Sequence, residues 1–291
     1  MPELPEVETT RRCIEPLLVG RRISRVETTG KSYFFVTDPE RLRRALEGQC
    51  VKALLRRGKY IVAELDDTSR LIIHLGMTGQ LFGAGASSVR LLSATARASL
   101  APEELGHFEP DLHTHLQIHF EDGGPPVYMR DVRKFGKLIW LAPGEIHERL
   151  ERLGPDALEI TGESLFAATR KRKVAIKSLL LDQRIAAGTG NIYADEALFL
   201  GGVRPGRRAS RVTRKECDAI VQGLLSVLHR SLDTGGSSIS DYVSPDGSDG
   251  GYQDERRVYA REGASCYSCA ATIKKTLIGQ RGTHYCPTCQ R

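Results

Sequence analysis

The sequence predicts a two-domain α+β protein: an N-terminal β-sandwich behind a leading helix, then a helical domain that ends in a small cysteine-bearing β-hairpin. Three observations carry this reading. Short β-rich runs separated by turn residues follow one another from about residue 21 to residue 141. Beyond residue 155 the apolar residues recur at helical spacing. Four of the seven cysteines crowd into the tail as Cys266-x2-Cys269-x16-Cys286-x2-Cys289. A chain of 291 residues is long enough for two hydrophobic cores. The expected boundaries are 1–141 for the sandwich domain, with an insertion at about 83–112, and 142–154 for a linker. Residues 155–234 form the helical domain, 235–257 a loop region and 258–291 the cysteine hairpin.

The leading helix spans Glu3 to Leu18, because Leu4, Val7, Ile14, Leu17 and Leu18 follow helical spacing and Gly20 ends it. It also carries the first chemical candidate. With Met1 removed, Pro2 is an N-terminal secondary amine. Such groups titrate near about 8, so a useful fraction is unprotonated at neutral pH and able to attack an electrophilic carbon. A proline adduct has no N–H to lose, so it stays a cationic iminium and a strong electron sink. Glu3 follows directly as a carboxylate able to shuttle protons. By itself, Met-Pro-Glu also fits an ordinary helix start, with proline in the first turn and acids favouring the dipole.

The strand series reads Ile23 to Val26, Tyr33 to Val36, Val51 to Leu55, Tyr60 to Leu65, Leu71 to Leu75, Leu116 to Phe120, Val127 to Met129 and Lys137 to Leu141. Three turns within it present chemistry. Arg56-Arg57-Gly58-Lys59-Tyr60 offers cations for phosphate contact, or is a solvated hairpin. His74-Leu75-Gly76-Met77-Thr78-Gly79 places a methionine between glycines. That residue is either a wedge for a base stack or a side chain tucked beneath its own turn. Asp131-Val132-Arg133-Lys134-Phe135-Gly136 offers Arg133 to a base edge or phosphate and Phe135 as a second wedge, unless the ring is simply buried. The insertion opens with Gly83-Ala84-Gly85 and has room for a short helix near Pro102 to Leu105. His107, His113, His115 and His119 do not make a convincing metal set, since no cysteine or spaced carboxylates complete it.

The helical half reads Glu163 to Thr169, Val174 to Leu181, Asn191 to Leu200 and Thr213 to Leu232. It is made basic by Arg170-Lys171-Arg172-Lys173 and by the stretch from Arg204 to Lys215. Gly188-Thr189-Gly190-Asn191 opens a helix and makes an anion site or a plain cap; a nucleotide P-loop is excluded because its Lys-Ser/Thr pair is absent. Residues 235–253 are rich in Gly, Ser and Asp, as a loop that closes on a substrate or a linker would be. In the tail, the C-x2-C pairs at this spacing imply a zinc ion held by Cys266, Cys269, Cys286 and Cys289. Four protein thiolates leave no open position, so the zinc is structural. Lys274, Lys275 and Arg281 on the same hairpin point at a polyanion.

Composition sets the partner class. A net charge of +6 and a pI of about 9.0 favour nucleic acid. Aromatic content of 6% disfavours a broad single-strand stacking platform. No apolar run approaches the ~18 residues of a membrane span, and the start lacks a signal-peptide pattern. A cytoplasmic, monomeric protein is expected.

Six pieces in order resemble the bacterial formamidopyrimidine-DNA glycosylase family over nearly the whole chain. They are Pro2-Glu3-Leu4-Pro5-Glu6-Val7-Glu8, Arg57-Gly58-Lys59-Tyr60, His74-Leu75-Gly76-Met77-Thr78-Gly79, Asp131-x-Arg133-x-Phe135-Gly136, Gly190-Asn191-Ile192-Tyr193-Ala194-Asp195-Glu196, and the tail ending Tyr285-Cys286-Pro287-x-Cys289-Gln290. The resemblance implies a helix–two-turns–helix second domain, a zinc-finger hairpin and lesion-bearing double-stranded DNA in a basic cleft. It implies a bifunctional glycosylase and abasic-site lyase of base-excision repair. Such an enzyme flips out oxidised purines, 8-oxoguanine and formamidopyrimidines, and cuts the strand by β,δ-elimination. Pro2 is then the nucleophile and Glu3 the general acid/base, with Glu6 as a supporting acid. Lys59 belongs to the catalytic set through a phosphate contact, and His74, Asn191 and Arg281 also contact phosphates. Met77, Arg133 and Phe135 fill the gap left by the flipped base, Arg133 facing the orphaned cytosine.

Val132 and Lys134 depart from the family's usual proline and arginine. The insertion is longer than expected, and Gly250-Gly251-Tyr252-Gln253 is altered. These departures bear on lesion preference. Two other readings share the scaffold: an endonuclease VIII-like glycosylase for oxidised pyrimidines, and a catalytically silent damaged-DNA-binding protein.

Overall fold

The computed structural model describes residues 1–83, 109–238, 242–245 and 248–291. Most of the expected insertion, including the helix near Pro102 to Leu105 and His107, lies outside the described residues. So do residues 239–241 and 246–247 of the Gly/Ser-rich stretch. The chain divides into two units. One comprises Met1–Glu148 with Gly235–Gly251, the other Arg149–Thr234 with Tyr252–Arg291.

In the first unit, α1 (Leu4–Leu18) buries Leu4, Val7, Ile14 and Leu18. Gly20 follows with φ +81°, a conformation that stops the helix at little cost only for glycine. Next come β1 (Ile23–Thr28) and α2 (Pro39–Leu46). The latter is a helix that sequence spacing alone does not announce. The Asp38 carboxylate caps it by accepting from the Glu40 amide at 3.0 Å, Pro39 occupies the first turn, and only Leu42 and Leu46 anchor its short length in the core.

The remaining strands are β2 (Val51–Arg57), β3 (Tyr60–Leu65), β4 (Arg70–His74), β5 (Gly79–Gly83), β6 (Thr114–Phe120), β7 (Val127–Asp131) and β8 (Lys137–Leu141). They form two four-stranded antiparallel sheets, β1-β6-β7-β5 and β2-β3-β4-β8. Ile23, Leu81, Leu116 and Met129 of one sheet share a core with Leu54, Ile61, Ile73 and Leu138 of the other. This is the expected sandwich.

Two details correct the expectation. Tyr33 to Val36 is not a strand. It touches β8 through one parallel bridge at Phe35 and Leu138, and Phe34 and Phe35 plug the core. Its β-rich composition reflects burial rather than pairing. Conversely β5, bracketed by glycines that suggest a turn, is a fully buried strand paired with β7.

After α3 (Glu148–Glu151), the second unit contains α4 (Gly162–Thr169), α5 (Ile176–Leu180), α6 (Asn191–Leu200) and α7 (Arg214–Asp233). Thr213 caps α7 by accepting from the Glu216 amide at 3.3 Å, while the Glu216 carboxylate accepts from the Thr213 amide at 2.8 Å. The tail forms a hairpin of β9 (Lys274–Ile278) and β10 (Arg281–Tyr285). Its two-residue turn, Gly279-Gln280, has positive φ at both positions, as a tight hairpin of that length requires.

Candidate active site

Pro2 and Glu3 lie at the start of α1, both buried, while Met1 is half exposed. The Glu6 carboxylate holds this start in place. Its Oε2 accepts from the Glu3 amide at 2.8 Å, satisfying one of the orphan donors of the helix N-terminus. Its Oε1 accepts from the Ser237 amide at 2.8 Å, and its backbone carbonyl accepts from the Tyr242 hydroxyl at 3.2 Å. The described part of the Gly/Ser-rich stretch is therefore fastened to the first turn of α1. A Cβ at Gly236 would stand 3.2 Å from Glu6 Cγ, so glycine permits this approach.

One turn further on, Glu8 joins α1 to β2. Its carboxylate accepts from Arg11, Arg12 and, at 3.1 Å, Arg56. Burial pushes this carboxyl upward, but the three guanidinium groups outweigh burial and hold it below the usual carboxylate range. Arg56, singled out in sequence only as one cation of a turn, is thus a structural partner of α1.

Lys59 sits in the two-residue turn between β2 and β3 and is buried, not waving in solvent. Tyr60 pairs in register with His74 on β4, their rings 4.8 Å apart. From His74 the chain runs straight into the Met77 turn. Met77 is 37% exposed and Phe135 is 40% exposed, so neither is tucked into the core. The two turns are brought together. A Cβ on Gly76 would fall 2.4 Å from the Gly136 nitrogen and from the Phe135 carbonyl carbon, so the backbones touch where glycine leaves room. Arg133 lies 4.6 Å above the Phe135 ring centre, a cation–π contact.

Asp131 organises this pair of turns, a role the sequence reading missed. It is fully buried. One carboxylate oxygen accepts from the Thr78 hydroxyl and, at 3.2 Å, from the Arg133 amide; the other accepts from the Gly136 amide at 2.6 Å. Its backbone carbonyl lies 3.0 Å from Nε2 of His115. The sequence offered Asp131 only as the first residue of the Asp-x-Arg-x-Phe-Gly string, with nothing to tie it to Thr78 in the facing turn.

In the second unit, Asn191 is the first residue of α6. Its Nδ2 donates to the Gly282 carbonyl at 2.9 Å, beside Arg281, whose side chain is exposed. The acids of the Asn191-to-Glu196 motif face inward. Asp195 pairs with fully buried Lys177 at 2.7 Å and accepts from the His284 amide at 2.8 Å. Lys177 also donates to the Gly282 carbonyl. Glu196 accepts from the amides of Arg257, Val258 and Tyr259 at 2.8–2.9 Å, and burial raises its carboxyl. The motif thus clamps β10 and the 257–259 segment, which spacing could not reveal.

The four tail cysteines converge: their sulfurs all lie within 4.8 Å of one another. In each C-x2-C pair an amide donates to the first sulfur at 3.4 Å, Ser268 to Cys266 and Cys289 to Cys286. Burial raises the Cys266 thiol, but the Ser268 and Cys269 amides, together with the neighbouring Cys286 and Cys269 sulfurs, outweigh it and bring it down to about 7. Four convergent sulfurs with amide donors suit a soft, tetrahedrally coordinated metal ion.

A helix-led antiparallel sandwich, joined to a helical unit with a four-cysteine hairpin, defines a class of two-domain proteins in which an H2TH domain follows a sandwich domain. Sequence profiles agree. The formamidopyrimidine-DNA glycosylase N-terminal domain matches residues 1–138, and the formamidopyrimidine-DNA glycosylase H2TH domain matches residues 153–243. The chain belongs to the formamidopyrimidine-DNA glycosylase family. A formamidopyrimidine-DNA glycosylase of Thioalkalivibrio sulfidiphilus is 40% identical over 294 residues, covering 100% of both chains. A solved MutM in complex with carbocyclic 8-oxo-G containing DNA superimposes with a TM-score of 0.84 at 32% identity, covering 100% of both chains. A Lactococcus lactis FPG mutant bound to a Fapy-dG containing DNA gives a TM-score of 0.85 at 32% identity with the same coverage.

Proposed function

We propose that this chain is a DNA glycosylase that removes oxidised purines, 8-oxoguanine and formamidopyrimidines, and then cleaves the strand at the abasic site. The observation that carries the reading is the buried Pro2-Glu3 start, pinned to the first turn of α1 by Glu6. A reactive amine on a rigid element is what covalent catalysis at a sugar requires.

The chemistry then follows from two residues. With Met1 gone, the Pro2 nitrogen lone pair attacks C1′, the glycosidic bond breaks with its electrons leaving on the base, and the N–H proton shed by the adduct nitrogen neutralises the departing base. Glu3 supplies the proton that opens the sugar at its ring oxygen, giving the Pro2 iminium. The iminium acidifies the C2′ proton; its loss expels the 3′ phosphate. A second elimination expels the 5′ phosphate. Met77, Arg133 and Phe135, two exposed wedges and an exposed arginine whose backbone amide is held by Asp131, fill the space of the extruded nucleotide, with Arg133 facing the orphaned cytosine. Lys59, His74 and Arg281 take phosphates. One Nδ2 proton of Asn191 is committed to Gly282 and the second is available for a phosphate. Cys266, Cys269, Cys286 and Cys289 hold one zinc ion, which supplies no reactive position and keeps the hairpin folded.

Borohydride reduction tests the reading. Incubation with an 8-oxoguanine:C duplex and borohydride should trap a protein–DNA adduct with the wild-type chain and far less of it with Pro2→Gly, whose primary amine is a poorer nucleophile and electron sink. Absence of any adduct defeats the lyase mechanism and leaves a silent binder. Faster trapping on a thymine glycol duplex would reassign the substrate to oxidised pyrimidines.

A further inference from the structure

We infer that Tyr33 is a positioning residue that sets opposite-base discrimination by locking the backbone of Arg133. The inference rests on the proposed role of Arg133 at the orphaned base. The Tyr33 hydroxyl donates to the Arg133 carbonyl at 2.6 Å. The amide of the same residue donates to the Asp131 carboxylate at 3.2 Å. Both backbone polar groups of Arg133 are therefore fixed, the amide by a buried carboxylate and the carbonyl by a phenol. Without the phenol, the 133–134 peptide plane is held only through the Lys134 amide, which donates to the Asp131 carbonyl at 3.3 Å.

The phenol is itself held from two directions. Phe34 is fully buried, and its carbonyl accepts from the Leu138 amide at 3.2 Å, which seats the Tyr33 backbone against β8. The Lys137 ammonium lies 4.5 Å from the Tyr33 ring centre and donates to the Gly136 carbonyl at 3.1 Å, so ring and turn share one cation. Yet Tyr33 is 59% exposed. An aromatic side chain left this open contributes little to the core. Its ordered position is spent on the Arg133 turn. A guanidinium that reads a base edge by paired hydrogen bonds needs its backbone fixed to a fraction of an ångström.

Single-turnover excision of 8-oxoguanine opposite C and opposite A, measured for wild type, Tyr33→Phe and Arg133→Ala, tests this. The expected result is that Tyr33→Phe retains the wild-type melting temperature and lowers the C-over-A ratio by about fivefold, the effect of one hydrogen bond. Arg133→Ala should lower the ratio at least as far. If Tyr33→Phe slows both duplexes equally, or leaves the ratio unchanged while Arg133→Ala collapses it, the positioning role is overturned. If Arg133→Ala itself leaves the ratio unchanged, the reading of Arg133 falls, and the role of Tyr33 with it.

Discussion

Single atoms decide much of this site. Gly76 is the clearest case. Its φ of +65° is strained for any other residue, and a Cβ there would press on the backbone at Phe135 and Gly136, which cannot swing aside. Gly76→Ala should destabilise the first unit by roughly 1–3 kcal/mol, as overpacking does, and slow lesion cleavage more than cleavage at a preformed abasic site. Thermal unfolding beside the two cleavage rates checks this; equal rates for both substrates would show that the Met77 and Phe135 turns need not touch. Asp131 belongs to the same scale. Its three donors come from residues 78, 133 and 136, two of which are sequence neighbours and one of which is 53 positions away. The local pair is readable from an Asp-x-Arg-x-Phe-Gly string, and the distant one is not.

At the scale of elements, the tail hairpin depends on two unlike supports. One is the buried Lys177–Asp195 pair on α5 and α6, which holds Gly282 and His284 of β10. Breaking such a pair from one side leaves an uncompensated charge. The other is the cysteine cluster, whose Cys266 and Cys286 pack with Phe199, Val258 and Ile273. Cys266→Ser should lose the metal ion that the four cysteines would hold, measured by elemental analysis of purified protein, and weaken DNA binding together with it. Metal lost with affinity retained would mean that the hairpin makes no DNA contact. The C-x2-C spacings announced this element at once, because metal-ligand geometry is local. The clamp under it was hidden in a motif that looked like an anion site, because Asp195 and Glu196 turn inward and α6 buries nearly its whole length.

Across the whole molecule, charge is the common thread. The net +6 predicts DNA affinity that falls steeply with salt. Among the described residues no helix is long and apolar enough to cross a membrane. Acid stability traces to carboxylates held below their ordinary range, Glu8 among them. For a depressed carboxyl, the stabilisation is complete above the unfolded value, 4.5 for Glu8, and is lost as pH falls through the lower folded value. Unfolding followed from about pH 5 to about pH 3 should show a smaller loss for Glu8→Gln than for wild type, with a lower starting stability. Parallel curves would mean that the Arg11, Arg12 and Arg56 pairs add nothing.

By itself, the sequence determined what neighbours along the chain decide. The amphipathic period of α1, the β-rich runs between turns, the paired cysteines and the ordered motifs were all legible, because each depends on residues a few positions apart. Only the tertiary structure decided which side chains meet. It placed Asp131 against Thr78, Glu6 against Ser237, Arg56 against Glu8 and Tyr33 against the Arg133 carbonyl. It also turned the apparent strand at Tyr33 to Val36 into a plug with one phenol left outside. Hydrogen-bond partners drawn from distant strands leave no periodicity behind, so packing alone selects them.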